Sequence, residues 1–255
     1  MSQQDAVSAE RTRQLEPMPE DWQRALAVVA HPDDLEYGAA AAVAEWRAAG
    51  REVAYLLVTR GEAGIAGMAP EEAARVREAE QRASAAAVGV QELTFLDYQD
   101  GVIEESLALR RDIAAAIRRW RPELLVTLNH HDTFDGVWWN TPDHRVVGRA
   151  TLDAAGDAGN QWIFSEQLAA EGAKPWGGVR WVAVVGSPEP THAVRIGAES
   201  VERAVASLAE HRAYITALSD EEPEAYARGL LTQGWDQVAD RFGGHRGVPF
   251  RVYPR

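Results

Sequence analysis

The chain has 255 residues, 46% of them hydrophobic, with 26 Lys and Arg against 39 Asp and Glu, a formal charge of −13. That length and apolar content suit one α/β domain with a substantial core, and the negative charge disfavours nucleic-acid backbones and anionic membrane surfaces as partners. The absence of cysteine excludes disulfides, thiolate ligands, iron–sulfur clusters and a cysteine nucleophile, so any metal must be held by nitrogen and oxygen from His, Asp and Glu.

In chain order, residues 1–20 are polar, mixed in charge and without an apolar core segment, so they read as a flexible leader on a cytoplasmic protein whose single domain spans 21–255. No run approaches the ~20 apolar residues of a membrane span. The apolar run 25–30 is expected to be a buried strand, followed by a helix over 37–49 that Gly50 closes. A second strand is expected over 53–59. A helix then opens at Pro70-Glu71-Glu72, where proline and acids suit the first turn, and runs to about Val88. Strand 92–98, helix 107–120, strand 123–129, a helix over about 144–155 and a strand over 179–185 complete the core. After about Asp220 the pattern gives way to Pro, Gly and aromatics, which reads as an irregular segment of loop and short elements.

Repeated strand–helix alternation implies a single Rossmann-like α/β domain, a mostly parallel open sheet with helices on both faces. Ligands bind such sheets at the carboxyl ends of the strands. The polar clusters His31-Pro32-Asp33-Asp34, Arg60-Gly61-Glu62, Asp97 to Gly101 and Asn129 to Asp132 each follow a strand, so four segments converge on one edge. Neither a G-x-G-x-x-G turn nor a P-loop is present to cradle a nucleotide.

His31-Pro32-Asp33-Asp34 places an imidazole and two carboxylates on one turn. Either aspartate could simply cap the next helix. A second cluster, Thr141-Pro142-Asp143-His144-Arg145, supplies a distant imidazole; His and carboxylate from the first turn with His144 make three ligands and an open position, the pattern of a catalytic zinc site. The same set also satisfies the two-His, one-carboxylate pattern of Fe(II) oxygenases, although those usually sit in all-β folds.

AHPDDLEYG after the first strand, TRGEAG after the second, VREAEQRA, FLDYQDG and NTPDHRVVGRA resemble, in order over residues 25–215, the PIG-L/LmbE-like family of zinc-dependent N-acetylglucosaminyl de-N-acetylases. The resemblance implies a deacetylase or amidohydrolase acting on an N-acetylglucosamine-type or other small amide. It further implies His31, Asp34 and His144 as ligands of Zn²⁺ and Asp33 as general base. Adjacent carboxylates diverge, so one can ligate while its neighbour moves a proton, and the N/O set also accepts Fe²⁺ or Co²⁺. By the same resemblance Arg77 and Asp100 contact sugar hydroxyls, and Arg60 and Glu62 lie in a glycine-flanked loop on the active edge. Arg77 could equally pair along its charged helix, and Asp100 could serve an ordinary turn.

The resemblance departs at Thr141, where many members carry a histidine thought to stabilise the oxyanion, with the counterpart of Asp143 orienting it. A threonine hydroxyl donates one hydrogen bond but carries no charge. His130 and His131 are candidate replacements, His131 having Asp132 beside it; alternatively the chain is a catalytically weakened sugar-binding relative. Arg195 stands where relatives often carry an acid, and His192 reads equally as a packed strand residue. The loop from Phe134 through Asp135, Gly136 and Val137 to Trp138, Trp139 and Asn140 is expected to give an apolar or sugar-stacking wall, Trp138 foremost, although interior packing claims many tryptophans. The many tryptophans and the C-terminal segment would also suit a homo-oligomer.

Overall fold

The computed structural model describes residues 14–134, 137–170 and 173–255. Most of the expected leader lies outside the described residues, as do Asp135 and Gly136 of the aromatic loop. Of the leader, Glu16–Pro17 (β1) pairs in parallel with His192–Arg195 (β9) at the edge of the main sheet.

The sheet is built on Arg24–Val29 (β2), Glu52–Leu57 (β3), Glu92–Phe95 (β4), Leu124–Leu128 (β5) and Trp181–Val185 (β8), which run parallel in the order β4-β3-β2-β5-β8. These strands are short apolar runs because both faces of a parallel sheet are covered; β5 is buried at every position. Beyond β8 the order continues through Gly247–Pro254 (β10), antiparallel to both β8 and β9. A separate two-stranded hairpin joins Thr133–Phe134 (β6) to Trp138–Trp139 (β7).

Helices Asp34–Gly38 (α1), Ala40–Ala48 (α2), Pro70–Ala87 (α3), Leu107–Trp120 (α4), Pro142–Asp157 (α5), Ser165–Ala170 (α6), Ala198–Ala209 (α7), Arg212–Leu218 (α8) and Pro223–Ala239 (α9) complete the described elements. They form two packing groups, α4 with α5 and α2, α3 and α9 around α7, as helices on opposite faces of a sheet do. Ser106 caps α4 by accepting from the Leu109 amide at 3.2 Å. Proline opens α3 and α5.

Two expectations are corrected. The helix expected over 37–49 begins at Asp34 and breaks at Ala39 into α1 and α2, which places Asp33 at its N-cap with φ +92°. The segment after 220 is regular: it supplies the 17-residue α9 and an eight-residue strand inside the sheet. Pro249 and Pro254 masked that strand, while its buried Val248, Phe250 and Val252 carry the period-two signal.

One glycine sets the site's floor. A Cβ on Gly148 would lie 2.6 Å from the Leu128 carbonyl oxygen and 2.9 Å from His130 Cβ. Only glycine lets α5 lie this close to the end of β5, and its first turn, with Asp143 and His144, is thereby brought to the strand ends.

Candidate metal centre

The turn after β2, the loops after β3, β4 and β5, and the N-terminus of α5 surround a cavity of about 690 Å³. His31, Asp33, Asp34, Arg77, Asp100, Thr141, Asp143 and His144 all line it. Residues from sequence clusters more than a hundred positions apart therefore meet.

The cap alternative for Asp33 does not hold, since its side chain makes no cap bond. Asp34 accepts from the His31 amide at 2.8 Å through Oδ2, and its Oδ1 lies 2.9 Å from His144 Nε2. The ring nitrogens are distinguished by their outer partners. Asn140 Nδ2 donates to the Asn129 and His131 carbonyls at 2.7 and 3.0 Å, which fixes the amide's orientation. Its Oδ1 must then accept from His144 Nδ1, 3.1 Å away, which leaves the Nε2 lone pair of His144 available to a metal. For His31, Nε2 faces Asp100 Oδ1 at 3.0 Å and Asp143 Oδ2 at 3.2 Å, while Nδ1 faces Asp34 Oδ2 at 3.7 Å. Two carboxylates hold the proton on Nε2, which leaves the Nδ1 lone pair available to a metal.

His31, Asp34 and His144 thus offer ligand atoms within 4.8 Å of one another. A tetrahedral ion with bonds of about 2.0–2.2 Å spaces its ligands about 3.4 Å apart, so the set fits a divalent ion. The charge balance points the same way: four lining carboxylates face one lining guanidinium. A second cluster, His31, Asp100 and Asp143, is the hydrogen-bonded support of the first. Asp143 accepts from the Gly101 and Ile103 amides at 2.7 and 3.1 Å, and Asp100 Oδ2 from the Ala63 amide at 2.8 Å.

Asp33 is held from behind. Arg77 donates to its Oδ2 at 2.8 Å, to the Pro32 carbonyl at 2.6 Å and to the Gly61 carbonyl at 3.0 Å, and stacks on Tyr214 with 4.2 Å to the ring centre. Gly61 and Gly64 make room, because a Cβ on either would collide with the guanidinium. The Asp33 amide donates to Gln81 Oε1 at 2.9 Å, and Gln81 in turn donates to the buried Glu36. These bonds hold a non-glycine residue in left-handed backbone, a strained state found at functional sites. Burial pushes the Asp33 carboxyl up to about 7, with Arg77 opposing and Asp34 adding to the rise. Burial also pushes Asp34 upward, but the imidazoles of His144 and His31 more than offset it and hold that carboxyl well below the usual range. For His31, burial opposes the charged form, yet Asp100, Asp143 and Asp34 raise it well above the ordinary imidazole value.

Other expected residues stand apart. Arg60 spans Glu78 and Asp97 outside the cavity lining, and Glu62 accepts from the Asp100 amide as support for that loop. His131 stacks on His130 at 4.6 Å, and neither ring lines the cavity, so position does not favour them as replacement oxyanion donors. His192 and Arg195 belong to β9, away from the cavity lining. Thr141 accepts from the His144 amide at 3.4 Å, capping α5. Tyr37, Tyr214, Gln81 and Asn140 were not singled out from sequence. Gln81 had a readable signal: Arg77, Gln81 and Ser84 form a buried polar stripe at helical spacing on α3.

The sequence profile described as PIG-L, GlcNAc-PI de-N-acetylase, matches residues 26–155, half of the chain. Diacetylchitobiose deacetylase of Thermococcus kodakarensis is 29% identical over 141 residues, 54% of this chain and 51% of that protein. The 1D-myo-inositol 2-acetamido-2-deoxy-alpha-D-glucopyranoside deacetylase of Kineococcus radiotolerans is 30% identical over 190 residues, 60% of this chain and 49% of that protein. The matches thus span about half the length of these relatives. The structure of N,N'-diacetylchitobiose deacetylase from Pyrococcus horikoshii superposes with a TM-score of 0.81 at 21% identity, covering 100% of this chain and 94% of that one, which establishes a shared fold.

Proposed function

Because this chain belongs to the PIG-L family, we propose that it is a metal-dependent hydrolase that removes the N-acetyl, or a related N-acyl, group from an N-acetylglucosamine-type or other small amide. The observation that carries the reading is the convergence of His31, Asp34 and His144 beside an aspartate held by its own guanidinium. His31 through Nδ1, Asp34 and His144 through Nε2 would hold the ion, for which Zn²⁺ is the proposal and Fe²⁺ or Co²⁺ are chemically compatible. Such an ion acts as a Lewis acid on the amide carbonyl and lowers the pKa of water from ~15.7 toward ~7.

The remaining work falls to side chains. Asp33 accepts a proton from the attacking water on a carboxylate oxygen and returns it to the amine nitrogen as the C–N bond breaks. Arg77 is a positioning residue: it fixes Asp33 and opposes the rise that burial imposes. Asp143 and Asp100 orient His31, and Asn140 orients His144. The Thr141 hydroxyl accepts from its own helix and keeps its proton for a substrate oxygen, a neutral donor where many relatives have a histidine. Among the described residues no helix is long and apolar enough to cross a membrane. With a charge of −13 and no cysteine, the chain suits a small amide or amino-sugar substrate in the cytoplasm.

The test is acetate release by zinc-loaded protein from a panel of N-acetylated amino sugars, with Asp33→Asn measured alongside. Release that Asp33→Asn abolishes at unchanged zinc content supports the assignment. Tight iron binding with oxygen uptake in the presence of a 2-oxo acid would overturn it in favour of an oxygenase. Full zinc occupancy and sugar binding without turnover would instead identify a weakened relative, the alternative that the threonine at 141 raises.

A further inference from the structure

The exposed indoles of Trp138 and Trp139 fall outside the lining of the cavity. Behind its wall, on the side of Asp33, lies a buried charged cluster that no step of the hydrolysis uses. Its centre is His211, the residue before α8, whose side chain is 0% exposed, as is that of Glu36 on α1. The imidazole Nε2 stands 3.6 Å from Glu36 Oε2. Glu80 of α3 belongs to the same cluster, since its Oε1 accepts from the Ala213 amide in the first turn of α8. Both nitrogens of His211, Glu36 Oε2 and Glu80 Oε2 are buried without a hydrogen-bond partner. Their chemistry is complementary, because an imidazolium donates from both nitrogens and a carboxylate oxygen accepts.

The charge balance requires that imidazolium. Glu36 Oε1 accepts from Gln81 Nε2 at 2.9 Å and from Ser84 Oγ at 2.8 Å, both neutral donors. The buried Tyr55 hydroxyl, in the field of Glu36, is neutral too. A carboxylate sealed from water without a countercharge is costly. Arg77 is paired with Asp33, so His211 is the cation that faces Glu36. Burial opposes the charged imidazole, but Glu36, Asp33 and Glu80 raise it above its ordinary value.

The cluster reaches the metal site by one arm. Gln81 donates to Glu36 through Nε2 and accepts the Asp33 amide through Oε1 at 2.9 Å, so a carboxylate fixes one end of the carboxamide and the Asp33 main chain takes the other. Asp33 holds φ +92° without being glycine, a conformation that such bonds must sustain. We propose that His211 is a positioning residue for Asp33: paired as an imidazolium with Glu36 and Glu80, it holds Glu36 against Gln81, and Gln81 holds the Asp33 main chain in its left-handed turn. The role rests on the deacetylase reading, in which Asp33 moves the proton. It gives a residue outside 26–155, the segment that carries the family match, control over the base.

The test compares zinc-loaded wild type, His211→Leu, His211→Gln, Gln81→Met and the double variant His211→Leu/Gln81→Met. Acetate release is measured on the N-acetylated amino sugar that wild type hydrolyses fastest, with zinc content. Hydrogen exchange of the Asp33 amide is followed by NMR, and the Val58 amide, bonded to Val29 in the sheet, is the reference for global opening. His211→Leu is expected to lower kcat about 10- to 100-fold with KM within about 2-fold and zinc content unchanged. Exchange at Asp33 should quicken at least about 10-fold relative to Val58. His211→Gln keeps a donor toward Glu36 without the charge, so it should recover part of the loss. The double variant should be no slower than the worse single variant, because both act on one arm. A lower melting temperature with wild-type kcat and wild-type exchange at Asp33 would show a merely structural histidine and overturn the proposal. Losses that multiply in the double variant would overturn the route through Gln81. If His211→Leu does not fold, His211→Gln decides alone, and wild-type kcat and exchange there reject the role. If wild type releases no acetate from any amino sugar, the deacetylase reading fails separately, and exchange at Asp33 still decides whether His211 holds that turn.

Discussion

Replacing Arg77 by methionine separates two roles for this residue, contact with substrate hydroxyls or support of Asp33. The side chain is 3% exposed and pairs at 2.8 Å with a carboxylate that is 7% exposed. Breaking a buried pair while leaving one charge behind costs about 3–5 kcal/mol. At about 2–4 °C per kcal/mol for a domain of this size, the melting temperature should fall by about 6–20 °C. Loss of the guanidinium also removes the cation that favours ionised Asp33, so its carboxyl titrates above about 7. Asp33 must be ionised to accept a proton. The acid limb of kcat/KM therefore moves to higher pH, and kcat at the optimum should fall about 10- to 100-fold, as when an orienting residue is lost. KM should stay within about 2-fold, because the guanidinium is buried and its NH1 and NH2 groups donate to Asp33, Pro32 and Gly61. Arg77→Lys keeps one charge but not the fork, so it should fold and fall between the two. The assays are thermal unfolding and a pH profile of acetate release at fixed zinc. A KM rise of tenfold or more with unchanged kcat, stability and acid limb would refute the positioning argument and restore the sugar-contact role.

Asn140→Ala should weaken zinc binding about 10- to 100-fold by freeing the His144 ring, and should lower stability by about 2–4 kcal/mol because the Asn129 and His131 carbonyls lose their donor; metal titration and denaturant unfolding read the two separately. Asp143→Asn puts an amide N–H where Gly101, Ile103 and His31 require acceptors, so zinc affinity should drop by a similar factor while Asp33 chemistry persists at saturating metal. Chelation should abolish activity and lower the melting temperature reversibly, by the linkage worth about 2.7 kcal/mol at a hundredfold excess over Kd, with far-UV dichroism largely unchanged. Truncation before Gly247 should give an insoluble chain, because it removes an inner strand and exposes the edges of β8 and β9.

The amino-acid sequence by itself determined the parallel sheet and the edge that carries the site. Buried parallel strands such as Leu124–Leu128 need no partner to be recognised, since covering both faces imposes an uninterrupted apolar run. Polar clusters directly after such runs must emerge at the strand ends, which marked His31 and its neighbouring aspartates as edge residues; the choice of Asp34 and His144 to join His31 came from the family resemblance of the HPDD and PDHR segments, and the structure brings ligand atoms of the three within 4.8 Å of one another. Only the tertiary structure decided which nitrogen of each imidazole faces the candidate metal position, because that choice rests on Asp143, 112 residues from His31, and on the orientation of the Asn140 amide. The same holds for Arg77, whose partner lies 44 residues away on another element; an arginine on a charged helix reads as a solvated residue until the turn it reaches is known. Strand Gly247–Pro254 was obscured because prolines are normally strand breakers, and its place between β8 and β9 depends on pairing that no local pattern encodes. Local periodicity records burial, which one chain segment specifies alone; hydrogen-bond partners and the face of a hairpin depend on two segments meeting, and that is settled only when the chain closes on itself.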